Sequence, residues 1–156
     1  HVILTFGYQD IHSDHALLFP EDENLVHPPF EISVRFVTVD MTPENGPFEA
    51  AERTQNLPRI ETMKQIEAHR IPLEPIMLKV GDVLITDPRT LHRGTPNMTD
   101  TPRPFAVIGY HRDWYLNEHL EKLEANEETP MLMDSFYNTL SSREQHLLRR
   151  IPRTEA

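Results

Sequence analysis

A chain of 156 residues, 38% hydrophobic and 26% charged, is long enough to bury a core and too mixed for a membrane span or a disordered polyampholyte. Twenty-five Asp and Glu against 15 Lys and Arg leave a formal charge of -10, which argues against nucleic acid or an anionic membrane as the main partner, because both require a basic surface. The absence of cysteine excludes disulfide scaffolds, cysteine zinc sites, iron–sulfur clusters and thiol nucleophiles, and leaves imidazole and carboxylate to carry any chemistry.

No apolar run reaches the roughly 18 residues of a membrane helix and no signal-peptide pattern is present, so a cytoplasmic protein is expected. The chain opens directly on His1-Val2-Ile3-Leu4-Thr5-Phe6, which reads as a domain entered part-way through. Val2 to Tyr8 is rich in strand formers. Residues 15 to 30 read as a loop, with Pro20, Pro28 and Pro29 and the acidic run Glu21-Asp22-Glu23. Ile32, Val34, Phe36 and Thr38 then alternate with Ser33, Arg35, Val37 and Val39, the period-two pattern of a strand with unequal faces. Thr42-Pro43-Glu44-Asn45-Gly46-Pro47 is a turn signal. Ile60, Met63 and Ile66 suggest a short helix over 60–69, broken beyond by Pro72 and Pro75. Val80-Gly81-Asp82 turns into a buried strand at Val83 to Ile85, and Pro104 to Tyr110 makes another, with Phe105, Val107 and Gly109 on one face.

The pattern changes after His111. Leu116, Leu120 and Leu123 fall on one side of an amphipathic helix, whose acidic face around Glu118 to Glu128 is simplest as solvated surface. Phe136 and Leu140 begin a second helical stretch. Ser141 followed by Glu144 is a capping box, starting a last helix through Leu147, Leu148 and Ile151. Met131 and Met133 read as core filler. The sequence pattern as a whole indicates an all-β core with a C-terminal helical brace.

Three features bear on chemistry. In His12-Ser13-Asp14, extended backbone would project the imidazole and the carboxylate to one face. A single His-x-Asp is a common accident. His92 follows a strand and lies in the Gly/Pro loop Asp87 to Asn97, where functional residues concentrate, although a solvent-facing histidine would look the same. Arg103 heads the next strand on the face of Phe105, Val107 and Gly109. A guanidinium turned inward needs an anionic partner, either a protein carboxylate or a ligand. Together, two His and one carboxylate are a facial-triad donor set for Fe(II), and the arginine fork suits a second, distal carboxylate.

The order Gln9-x-x-His12-x-Asp14, Val39-Asp40-Met41-Thr42-Pro43-Glu44-Asn45-Gly46-Pro47, Gly81-Asp82, His92-Arg93-Gly94-Thr95-Pro96-Asn97 and Arg103 resembles the phytanoyl-CoA dioxygenase (PhyH-like) family over roughly residues 5 to 112. That resemblance implies an Fe(II)- and 2-oxoglutarate-dependent oxygenase on a mainly β double-stranded β-helix, or jelly roll. It implies that His12, Asp14 and His92 ligate iron and are catalytic, that Arg103 binds the distal carboxylate of 2-oxoglutarate, and that Gln9 lies beside this co-substrate. O2 would be the oxidant and a C–H bond of a small organic molecule the target, most simply hydroxylated, with release of succinate and CO2. The donor set suits this, since two neutral imidazoles and one carboxylate leave Fe(II) at net +1 for a dianionic chelator.

The resemblance makes residues 1–156 a single oxygenase domain lacking its N-terminal part, with a β-helix core at 1–111 and C-terminal helices at 112–156. Phe48 to Gln55 departs from the small-residue stretch common in relatives. Gly94 stands where some relatives carry a hydroxyl that helps hold the co-substrate, so that contact is either missing or replaced by Thr95. His15 is expected to face away from the triad, His27 to face solvent, and His111, Trp114 and Tyr115 to pack under the C-terminal helix. Arg93 is divided between substrate and a surface carboxylate. Alternative readings are a catalytically inactive relative acting as a binding or scaffold domain, a cupin-like metalloenzyme without 2-oxoglutarate, and a zinc hydrolase. No nucleic acid or membrane partner is expected, and oligomeric state is left open.

Overall fold

The computed structural model describes residues 7–115, apart from 16, 20, 23 and 24, and residues 131–155, apart from 150. The chain forms two compact units, His1–Arg112 and Asp113–Ala156. The expected strand at Val2 to Tyr8 and the helix on Leu116, Leu120 and Leu123 lie mostly or wholly outside the described residues; Gly7 and Tyr8 are not in a strand. Among the described residues, no helix is long and apolar enough to cross a membrane.

The first unit is mainly β, as expected. Its strands are β1 (Glu31–Val37), β2 (Phe48–Ala50), β3 (Glu74–Ile76), β4 (Val83–Thr86), β5 (His92–Gly94) and β6 (Phe105–His111), with helix α1 (Arg59–Glu67) between β2 and β3. They make two antiparallel three-stranded sheets, in the orders β4-β1-β6 and β3-β2-β5. Paired residues share a face. Arg35 pairs with Leu84 and Val107, and Ser33 with Thr86 and Gly109, so these side chains face one way. Val34 and Phe36, with Ile85 and Ile108, and Val83 and Ala106, face the other.

That second face is largely open, with Val34 buried but Phe36, Val83, Ile85 and Ile108 exposed. Ile85 is 62% exposed and Val83 48%, which corrects the expectation of a buried strand there. A short apolar run bounded by turns identifies a strand without saying whether anything covers it.

The small core lies under the other sheet, where Ala51, Ile66 and Leu91 pack with Ile11, Met63, Ile71 and Leu73. Helix α1 contributes Met63 and Ile66, three positions apart on one side. It begins at Pro58, whose carbonyl accepts from both the backbone N–H and the hydroxyl of Thr62. It ends two residues short of the expected boundary, because His69 adopts a positive φ of 55°. Thr54 ties the core to β5: its buried hydroxyl donates to Ala51 O at 2.8 Å and accepts from Leu91 N at 2.9 Å.

The Thr42–Gly46 turn is held by Asn45, whose Oδ1 accepts from Thr42 N at 2.9 Å and whose Nδ2 donates to Asp40 O at 2.7 Å. Gly46 has φ +82°, and a Cβ there would lie 2.7 Å from Thr95 O. Only glycine fits this turn.

The second unit holds β7 (Leu132–Met133), α2 (Asp134–Tyr137), α3 (Ser142–Leu148) and β8 (Arg153–Thr154), with β7 and β8 paired in parallel. The capping box on α3 forms as expected: Glu144 N donates to Ser141 Oγ, and Ser141 N donates to Glu144 Oε2 at 2.7 Å. The helix stops at Leu148, before Ile151. Phe136 lies in α2, while Leu140 follows that helix. Met131 and Met133 are exposed, not core filler; methionine composition alone does not report burial. Trp114 and Tyr115 meet edge to face at 6.1 Å, with Trp114 largely exposed.

Candidate metal centre

The segment Gln9–Asp14 runs antiparallel beside β5. Gln9 N donates to Gly94 O at 3.0 Å, and His12 and His92 exchange both backbone hydrogen bonds, at 3.0 and 2.9 Å. Asp14 N is then caught by Pro88 O at 2.9 Å. Directly opposed residues in such a pair point to the same side, and Asp14, two residues beyond His12, returns to it. His12, Asp14 and His92 therefore converge, with one ligand-capable atom of each lying within 4.8 Å of the others. Asp14 Oδ1 is 3.4 Å from His92 Nε2 and 3.9 Å from His12 Nε2.

The ring orientation has a local cause. His12 Nδ1 contacts Asp10 O at 2.7 Å, and His92 Nδ1 contacts Thr90 O at 2.9 Å. A carbonyl only accepts, so each Nδ1 carries a proton and each ring turns its Nε2 toward the cluster, where a bound metal would take the lone pair. The two rings sit 4.5 Å apart, and Phe48 packs against His92 at 4.8 Å. His92 is buried, while the side chains of His12 and Asp14 are each 37% exposed. Burial raises the pKa of Asp14, but the His92 hydrogen bond and the charges of His92, Arg35 and His12 outweigh it, and the carboxyl is held below its ordinary value.

Sequence reasoning passed over Arg35. It is buried on β1 and reaches Asp14 Oδ2 at 3.3 Å and the hydroxyl of Thr86, with its guanidinium 4.9 Å from the Phe48 ring centre. A charged residue in the middle of an alternating strand, between Val34 and Phe36, was the available signal.

Arg103 lies just before β6. Its Nε donates to Asn45 O at 3.1 Å, and its guanidinium stacks on Phe105 at 5.2 Å. Its Nη1 is buried without a hydrogen-bond partner among the described residues, and burial lowers its pKa. An unpaired buried guanidinium nitrogen is costly unless a ligand anion completes it.

Gln9 spends its side-chain Oε1 on Gly94 N at 2.8 Å. The Thr95 hydroxyl, the expected substitute for a co-substrate contact, donates to Pro47 O at 2.7 Å. Arg93 points to the opposite face, paired with Glu49 at 2.7 Å and stacked on Tyr8. His15 pairs with Glu31 at 3.0 Å. His27 is half-buried rather than solvent-facing: its ring stacks on Phe30 and contacts Arg89. Flanking prolines set its backbone without exposing its side chain.

Fold and donor set together define a mainly β protein bearing a 2-His-1-carboxylate constellation. The sequence profile of the phytanoyl-CoA dioxygenase (PhyH) family matches residues 5–105, and the chain belongs to that family. Solved structures share the fold. EvdMO1 is 24% identical with a TM-score of 0.54, over 69% of this chain and 24% of its own. AviO1 from Streptomyces viridochromogenes Tue57 is 22% identical with a TM-score of 0.57, over 73% and 48%. EctD from S. alaskensis, solved with bound Fe, is 23% identical with a TM-score of 0.50, over 67% and 39%. The chain thus spans less than half the length of each of these structures.

Proposed function

We propose that this chain carries the metal- and co-substrate-binding core of an Fe(II)- and 2-oxoglutarate-dependent dioxygenase that oxidises a C–H bond of a small organic molecule, by hydroxylation. The observation that carries this reading is the convergence of two Nε2 atoms and Asp14 Oδ1, with both Nδ1 atoms committed to backbone carbonyls. Those atoms are the donor set that ferrous iron takes in this family, and EctD has also been solved with 2-oxoglutarate and 5-hydroxyectoine.

In this reading His12, Asp14 and His92 hold the ion on one side and leave the other side open. Bound iron and 2-oxoglutarate supply the oxidising chemistry, with one oxygen atom of O2 passing to the co-substrate, which leaves as succinate and CO2, and the other to the C–H bond. Arg103 anchors the distal carboxylate: its Nε is steadied by Asn45, and its Nη1 still needs an acceptor. Gln9 steadies the segment bearing His12 through Gly94, and its amide nitrogen would serve the lesser role beside the co-substrate. That same unpartnered Nη1 favours a 2-oxoglutarate enzyme over a cupin-like metalloenzyme that takes no dicarboxylate.

The test is Fe(II)-dependent formation of succinate from 2-oxoglutarate. Arg103→Ala should raise the 2-oxoglutarate KM steeply while leaving metal affinity intact. An unchanged KM would return Arg103 to a structural part, and no turnover by the unaltered protein with any small-molecule substrate set would favour a binding domain.

A further inference from the structure

We infer that Arg35 is a positioning residue for the metal centre, one that reserves an open coordination site by holding Asp14 to a single ligating oxygen. The inference rests on the assignment of His12, Asp14 and His92 as ligands.

A carboxylate beside a divalent ion can bind through one oxygen or chelate through both. Chelation would consume one of the three positions that a facial triad leaves for co-substrate and O2. In this structure the two oxygens of Asp14 are divided. Oδ1 faces the two imidazole Nε2 atoms, at 3.4 and 3.9 Å, while Oδ2 faces Arg35 Nη2 at 3.3 Å. The guanidinium is itself held in place. Its Nη1 donates to Thr86 on the neighbouring strand, its carbon lies 4.9 Å from the Phe48 ring centre, and the strand that carries it, β1, is paired on both edges. A planar fork fixed in this way offers a directed donor to Oδ2, which a mobile ammonium would not. Phe48 also packs on His92, so one ring steadies both the ligand and the residue that orients its neighbour.

Arg35 also adds a positive charge beside the ion. With Asp14 partly neutralised by Arg35, the centre is more receptive to a dianionic chelator than the ligand set alone.

The experiment uses Mn(II), which occupies such sites without redox chemistry, and compares the unaltered protein with Arg35→Met. Water-proton relaxation counts the waters exchanging on the ion. Calorimetry measures 2-oxoglutarate binding to the Mn(II) form. In Arg35→Met, Asp14 should chelate, so bound waters fall from about three to about two and 2-oxoglutarate binds about tenfold more weakly. Unchanged water count and unchanged affinity would overturn the inference. Arg35→Lys covers the case in which Arg35→Met does not fold: an ammonium on a flexible stem lacks the fixed fork that directs a donor to Oδ2, so both readouts should move in the same direction by less, and no movement overturns the inference equally. Failure of the unaltered protein to bind Mn(II) would instead overturn the ligand assignment beneath it.

Discussion

His12 and His92 exchange two backbone hydrogen bonds and bring their rings to 4.5 Å, so two ligand-capable imidazoles are placed by a single pair of opposed residues, one on β5 and one on the segment bridged to it. The backbone does the positioning, and the side chains are free to do chemistry. Replacing His92 with Ala should therefore lower divalent-metal affinity by at least about 100-fold while leaving the far-UV circular dichroism spectrum unchanged. Calorimetric titration with Mn(II) checks the first expectation and the spectrum checks the second.

Arg103 is steadied by the carbonyl of Asn45, and that carbonyl is placed by the side chain of the same residue bonding Thr42 and Asp40. Asn45→Ala should keep metal affinity but raise the 2-oxoglutarate KM by about tenfold, the equivalent of roughly one supporting hydrogen bond. Steady-state kinetics across co-substrate concentration would show the split.

Thr54 joins the core to the strand that carries His92. Thr54→Val keeps the shape but strands the buried N–H of Leu91. A loss of about 1–3 kcal/mol is expected, measurable as a lower urea midpoint with an unchanged slope.

Gly46 has no room for a side chain, since its Cβ would meet the backbone of Thr95 and Asn97. Gly46→Ala should cost more than about 2 kcal/mol, combining left-handed strain with a backbone clash. Equilibrium unfolding would reveal the loss, and an unchanged midpoint would mean that the turn rearranges freely.

At the α3 cap, hydrogen bonds from Ser141's hydroxyl and backbone N–H lower the pKa of Glu144 below its ordinary 4.5. A depressed carboxylate stabilises the helix above the unfolded value, and that contribution is lost as pH falls through the folded one. NMR titration should find Glu144 ionising below 4.5, and Ser141→Ala should move it upward.

The parts legible in the sequence were those carried by local order. The alternation from Ile32 predicted β1, the Ser141–Glu144 spacing predicted the cap of α3, and the motif order pointed to His12, Asp14 and His92, which the fold brings within 4.8 Å of one another. The parts that stayed hidden depend on partners far away in the chain. Arg35 looks like one polar residue in a strand until β4 supplies Thr86 and the Gln9–Asp14 segment supplies Asp14. The carbonyls of Asp10 and Thr90 that orient the imidazoles belong to the main chain, so no residue type announces them. Exposure of the β4 strand was equally invisible, because hydrophobicity says where a residue tends to go and not what lies above it.

The pairing that carries the donor set joins distant stretches of chain, with Gln9 meeting Gly94 across 85 positions. An ion shared by His12, Asp14 and His92 would act as a cross-link on that junction, closing a long loop whose closure entropy the backbone bridge otherwise bears alone. Loading the site would then tighten the pairing of this segment with β5, and a chelator would loosen it, so that amide exchange at residues 12 and 92 reports how full the protein is.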